Sequence, residues 1–300
     1  MLDIVGKRFW YITLSAIISL ICLIFLAAFG LNLGIDFSSG SILTVSFEKE
    51  VDPVQLKQAV VGLGYTTASI ESNPQGDFLI HTTKMTTEEK NQLKDKLAAQ
   101  FGTITEKAFE NVDPVVAKET ARIAGIGVIV ATVGILLYMT WAFRHMPRPF
   151  RYGTCSVAAL VFNILLVAGV FAIFGKIANW EVDLGFIIGI LSVIGYTINN
   201  TVVVFDRIRE NLTKGVSVKF EVVVNHSLVE TLSRTLNTTI TTLITILAIL
   251  LFVGTSVQNF ITSLLIGLLV GTFSSIYLAP LMLVVWEKKE WGKIFRPSRA

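Results

Sequence analysis

Six apolar runs punctuate the chain, each roughly the 18 to 25 residues that cross a bilayer as a helix. They fall at Tyr11–Phe29, Ile123–Phe143, Gly153–Phe174, Leu184–Phe205, Thr235–Val253 and Phe260–Trp286. Between the first and second, the pattern changes. SILTVSFE alternates apolar and polar positions like a strand, and PVQLKQAVVGLG reads as a helix opened by Asp52-Pro53 and closed by glycine. YTTASIES and DFLIHTTK read as strands joined around Asn73-Pro74-Gln75-Gly76, a strong turn signal. TTEEKNQLKDKLAAQFG is a second helix with Thr86 or Thr87 as its cap, and TITEKAFENV a last strand. The order β-α-β-β-α-β predicts a ferredoxin-like domain. Fold alone assigns no activity, so a structural plug or spacer is one reading of it.

The expected architecture is a polytopic α-helical membrane protein with six transmembrane helices and a small α+β ferredoxin-like domain. Residues 1–30 hold the N-terminus and helix one, 31–120 the small domain, 121–286 helices two to six, and 287–300 a basic tail. The first run follows Lys7 and Arg8 like a secretory signal. Its apolar core exceeds the usual length of about 7–15 residues, so it reads as an uncleaved anchor.

Charge sets the orientation. Basic residues beside membrane spans favour the cytoplasmic side. Lys7 and Arg8 precede helix one, and Arg144, Arg148 and Arg151 separate helices two and three. Arg207, Arg209, Lys214 and Lys219 separate helices four and five, and Lys288, Lys289, Lys293, Arg296 and Arg299 follow helix six. The opposite loops hold Lys176 with Glu181 and Asp183, or, in GTSVQN, no charge. Both termini are therefore expected to be cytoplasmic and residues 31–120 extracytoplasmic. Within 31–120 the balance inverts, with eight basic residues against thirteen acidic ones. The basic loops suit anionic lipid or another protein equally well.

Composition narrows the class. Hydrophobic residues make up 53% and charged residues 16%, against about 25% charged in a soluble domain. Cys22 and Cys155 lie inside apolar runs, which argues against a disulfide framework, and His81, His145 and His226 lack ligand spacing. No metal site, cofactor or nucleic-acid partner is expected.

Polarity inside the membrane is the unusual feature. In GYTINNTVVVFDRIREN, Asn199 and Asn200 lie within the fourth span, where polar groups need protein or water as partners. At 100° per residue, Gly185, Gly189, Ser192, Tyr196, Asn199, Asn200 and Val203 share a stripe, and Gly185 with Gly189 makes a close-packing GxxxG pattern. This stripe is expected to meet other helices, leaving Ile188 and Ile194 to lipid. In helix five Arg234, Thr238, Thr241 and Thr245 follow one face, at a depth similar to Asn200. A polar seam between helices four and five follows as an expectation. The competing readings are that the asparagines only join helices and that Arg234 snorkels to headgroups. Asp206, Arg207, Arg209 and Glu210 read as a solvated, salt-bridged helix end. Asp113-Pro114 reads as the start of the helix leading into the second span.

Several stretches resemble the SecD/SecF family of bacterial protein-export proteins. GIDFSSG, with Gly34, Asp36 and Gly40, resembles its GxDFxGG signature and forms the turn after helix one. VIGYTINNTVVVFDRIREN, SRTLNTTITTL and LLIGLLVGTFSSIYLAPLML resemble the fourth, fifth and sixth helices of its SecF branch. The resemblance covers nearly the whole chain. It implies a non-enzymatic subunit that partners SecD beside the SecY channel and uses the proton-motive force to help a polypeptide in transit outward. The six helices would form half of an RND-type twelve-helix unit. The implied intramembrane polar site comprises Asn200, Asn199, Arg234, Thr238 and Tyr196. Two departures stand out. Ser39 replaces the first closing glycine, a mild change in a turn. Asn200 replaces the family's proton-carrying Asp, so an amide that does not titrate stands where a carboxylate is expected. It is either an engineered change that traps one state or a lineage that moves protons elsewhere. Half of an exporter of small molecules or lipids, and an uncoupled scaffold, are the alternative functions.

Overall fold

The structure, a computed structural model, describes residues 2–49, 51–66, 68–72, 76–252 and 257–293. The expected turn at Asn73-Pro74-Gln75, Val253, the loop residues Gly254, Thr255 and Ser256, and the tail arginines Arg296 and Arg299 lie outside these residues. Two compact units are present, Leu33–Gly125 and the remainder of the chain.

In the smaller unit a short helix α2 (Ile35–Ser38) precedes β1 (Gly40–Phe47), α3 (Pro53–Gly62), β2 (Ser69–Ser72), β3 (Asp77–Thr82), α4 (Thr87–Phe101) and β4 (Ile104–Val112). The sheet order is β2-β3-β1-β4 with every pair antiparallel, the ferredoxin-like arrangement expected from the element order. Local chemistry fixes the helix starts. The Asp52 side chain accepts from the Val54 N–H, and Thr86 and Glu89 form a reciprocal capping box. Leu43, Val45 and Ile80 from the sheet meet Leu56, Val60, Leu93 and Leu97 from the helices in one buried core.

The larger unit holds α1 (Arg8–Phe29), α6 (Phe150–Ala178), α7 (Leu184–Thr213), α8 (Phe220–Phe252), α9 (Gln258–Phe273) and α10 (Ala279–Glu287); α5 (Pro114–Ala142) starts in the smaller unit and continues into it. A π turn at Ser274–Leu278 joins α9 to α10, so these form one long span. Among the described residues, six helices are long and apolar enough to cross a membrane. The second starts at Pro114, where the Asp113 carboxylate accepts from the Val115 N–H, as the Asp113-Pro114 signal predicts. The fifth begins well before its apolar window, at Phe220 rather than Thr235. Hydropathy marks where a helix becomes apolar, not where its backbone becomes helical, which accounts for the difference.

At one end of the larger unit the expected salt-bridged helix end is present, and it reaches further than α7. Arg207 makes paired hydrogen bonds to Glu230 of α8 at 2.7 and 2.8 Å, and Asn211 donates to Ser227 and Glu230. At the same end, Asn225 accepts from the Ile4 and Val5 N–H groups and donates to the Leu2 carbonyl. Arg8 pairs with Glu290 at 2.7 Å.

Candidate intramembrane polar site

The site begins with how closely α7 and α9 approach. Asp183 caps α7 by accepting from the Phe186 N–H, and its other carboxylate oxygen accepts from Asn259 at 2.8 Å, so the two helices start together. Glycines on both then let the backbones close. A Cβ at Gly189 would lie 1.9 Å from Ser263 Oγ, one at Gly267 would lie 2.2 Å from Val193 Cγ2, and one at Gly271 would lie 2.3 Å from Thr197 Oγ1. Gly185 faces Phe260 less tightly, with a Cβ there 3.3 Å from Phe260 Cβ. The GxxxG pair thus lies against α9, the geometry small residues permit between membrane helices.

Below that crossing, Thr197, Asn200, Thr201 and Val204 are buried on one face of α7. Asn200 is 4% exposed, and its Nδ2 has no hydrogen-bond partner in the protein. Buried hydroxyls on α7, α8 and the last span are mostly committed to their own helices. Thr201 donates to the Thr197 carbonyl, Thr239 to Thr235, Thr272 to Leu268, Ser274 to Gly271 and Ser275 to Thr272. The last two serve the π turn, where the widened backbone departs from the regular α-helical ladder. Across the helices, Tyr196 donates to Thr239 at 3.4 Å, and Thr239 and Thr272 lie 2.9 Å apart.

The contact between α7 and α8 is therefore polar, but it uses a different face of α8 from the expected one. Thr231, Thr235 and Thr239 point inward, whereas Arg234, Thr238, Thr241 and Thr245 are exposed. Asn199 and Ser192 are exposed on α7 as well, and Ile194, expected to face lipid, is 3% exposed in the core. A one-residue step turns a helix by 100° and explains each difference. Asn200 and Tyr196 thus lie on the inward side of α7 toward Thr239, whereas Asn199 on α7 and Arg234 and Thr238 on α8 are exposed.

Asn163 was missed. On α6 it is 1% exposed, donates through Nδ2 to Thr197 Oγ1 at 3.2 Å, and keeps a buried Oδ1 without a partner. The available signal was a lone amide inside the apolar run LVFNILLV, which membrane helices rarely carry without a reason.

At the start of the small unit, Gly34 precedes α2, Asp36 lies within it, and Ser39 and Gly40 follow. A Cβ at Gly40 would meet the Thr82 carbonyl oxygen at 2.7 Å, and its φ of 134° favours glycine. Ser39 has φ 66° and ψ 163°, a region that only glycine occupies at ease. The serine is thus a strained residue, a larger departure than a mild change in a turn.

Residues 92–289 match the family described as "Protein export membrane protein SecD/SecF, C-terminal", and residues 24–51 match the "SecD/SecF GG Motif". The chain belongs to the SecD/SecF family. It is 39% identical to the protein translocase subunit SecF of Thermobaculum terrenum, across 99% of this chain and 97% of that one. Against SecDF of Bacillus subtilis it is 31% identical, covering 97% of this chain and 39% of that protein. The crystal structure of SecDF from Thermus thermophilus, a translocon-associated membrane protein, matches with a TM-score of 0.85 at 30% identity. That match covers 96% of this chain and 39% of the other. The chain thus spans nearly all of a SecF subunit and about two fifths of a SecDF chain. Within the SecD/SecF family it is a multi-pass, SecF-type protein translocase subunit.

Proposed function

We propose that this chain is the SecF-type partner of a SecD subunit beside the SecY channel, in a machinery that uses the proton-motive force to assist polypeptides across the cytoplasmic membrane, and that Asn200 makes this chain a trapped, proton-uncoupled form of that subunit. Asn200 carries the reading. It is buried in the α7 interface, its Nδ2 is unpaired, and it occupies the place where the family resemblance puts a proton-carrying Asp. An amide is neutral and close in shape to a protonated carboxylic acid. In this chain the site is held in a proton-loaded-like state.

The exposed polar residues Ser192 and Asn199 on α7 and Arg234, Asn237 and Thr238 on α8 support the SecD partner. Polar and charged side chains at membrane depth are costly against lipid and are satisfied by another protein's groups or by water. The basic clusters favour cytoplasmic termini beside anionic lipid, with residues 31–120 extracytoplasmic.

The test compares this chain with Asn200→Asp, each reconstituted with its SecD partner and the translocon. The restored carboxylate is expected to raise proton flux and export driven by the proton-motive force. If neither rises, position 200 is not the coupling site. The same amide favours a second reading, an uncoupled scaffold. That reading gains if the native chain supports export without flux and Asn200→Asp adds nothing.

A further inference from the structure

Two buried amides in the larger unit each hold a buried polar atom that has no partner in the protein, an oxygen on one and a nitrogen on the other. Asn163 on α6 has an unpaired acceptor, Oδ1, and Asn200 on α7 has an unpaired donor, Nδ2. Both side chains are more than nine-tenths buried. Thr197 links them. It receives the Asn163 hydrogen bond at 3.2 Å and lies one turn before Asn200 on the same buried face, where i and i+3 Cβ atoms are roughly 5–6 Å apart.

Turning the Asn163 amide over exchanges the end that meets Thr197 and still leaves one end alone. The buried hydroxyls of Thr201, Thr272, Ser274 and Ser275 already donate to backbone carbonyls of their own helices. Gly271 contributes no side chain at this crossing. Its position faces Thr197 Oγ1, and a Cβ there would lie 3.7 Å from Asn163 Nδ2. One water, donating to an acceptor and accepting from a donor, satisfies such a pair.

We propose that Asn163, Thr197 and Asn200 bind a buried water that carries the polar site from α7 across to α6. The functional part of this inference rests on the reading of position 200 as the coupling site; the water site itself does not.

The test uses the full chain in lipid bilayers with asparagine side chains labelled with nitrogen-15, and measures magnetisation transfer from water. Transfer to the side-chain amides of both Asn163 and Asn200 is expected, and Asn163→Leu is expected to abolish transfer to Asn200. No transfer to Asn200 in the native chain, or transfer that survives in a folded Asn163→Leu chain, overturns the site. Asn163→Ser keeps a polar oxygen at position 163. It serves if the leucine variant does not fold, and is expected to retain the transfer to Asn200; its loss from a folded serine chain also overturns the site. In the Asn200→Asp background with SecD, Asn163→Leu is expected to lower proton flux about tenfold, the equivalent of roughly one hydrogen bond, with partial recovery in Asn163→Ser. Flux unchanged by Asn163→Leu overturns the extension to α6. If Asn200→Asp carries no flux, the coupling reading of position 200 fails while the water measurement still decides this site.

Discussion

Gly189 of α7 stands so close to Ser263 of α9 that a Cβ on the glycine would fall 1.9 Å from the serine Oγ, with the Phe260 carbonyl oxygen 3.0 Å away on the same side. This contact brings together the helices that bury Asn200. Gly189→Ala is expected to destabilise the membrane unit by about 1–3 kcal/mol, the usual cost of overpacking. Gly195, six residues along the same helix, has open space at its Cβ position. Gly195→Ala is expected to gain roughly 0.5–1 kcal/mol from better helix propensity. Thermal unfolding in one detergent compares the two, and equal effects would refute the packing argument.

Relieving strain at Ser39 should have the opposite sign from adding a side chain next to it. Ser39→Gly is expected to stabilise the small unit by about 1–3 kcal/mol, the range for a residue held in a glycine-only region. Gly40→Ala is expected to loosen it, because the new Cβ meets the Thr82 carbonyl oxygen on the neighbouring strand. Amide hydrogen exchange across β1 and β3 reads both changes directly.

Acid should weaken the small unit in two steps. Burial pushes the His81 imidazole below its ordinary value, so its contribution is complete above the unfolded value of about 6.5 and is lost as pH falls through the folded one. A hydrogen bond from Lys90 at 2.6 Å, reinforced by Lys94 at 3.1 Å, holds the Glu106 carboxyl below the ordinary range. That contribution is present above the unfolded value of about 4.3 and is lost as pH falls through the lower folded value. Exchange rates on β3 and β4 followed from pH 7 to pH 3 should show both steps. Glu106→Gln should remove the lower one and leave the upper.

Asn225 satisfies three backbone groups of the N-terminal turn with one side chain. Asn225→Ala is expected to cost about 1–3 kcal/mol locally, since two N–H donors and one carbonyl lose their protein partner. The measurable result is faster proteolysis within residues 2–8, with the unfolding temperature of the helices little changed. If the segment stays protected, the clamp is not what holds it.

Much of the small unit was legible because its signals are local. The caps at Asp52 and Thr86, the glycine after α4 and the alternation in β1 act over a few residues, and the antiparallel order follows from their sequence. The six spans were legible because length and hydropathy suffice. The faces of those spans were harder to read. Four residues of α8 share the Arg234 face and three share the Thr235 face, and both sets are polar; neighbouring helices decide which turns inward. Asn163 escaped for a related reason, since its importance comes from Thr197 and Asn200 on another helix. The strain at Ser39 needed backbone angles that the motif alone does not supply.

The π turn at Ser274–Leu278 gives the last span two phases. One extra residue in a turn rotates everything beyond it by about 100° relative to an unbroken helix of 3.6 residues per turn. Gly267 and Gly271 can therefore face α7 while, past the offset, Leu281, Val284 and Val285 still face the core. A single regular helix carrying the same residues would align only one of these sets, so a one-residue deletion in this segment is a choice between the crossing that shelters Asn200 and the packing that anchors the other end.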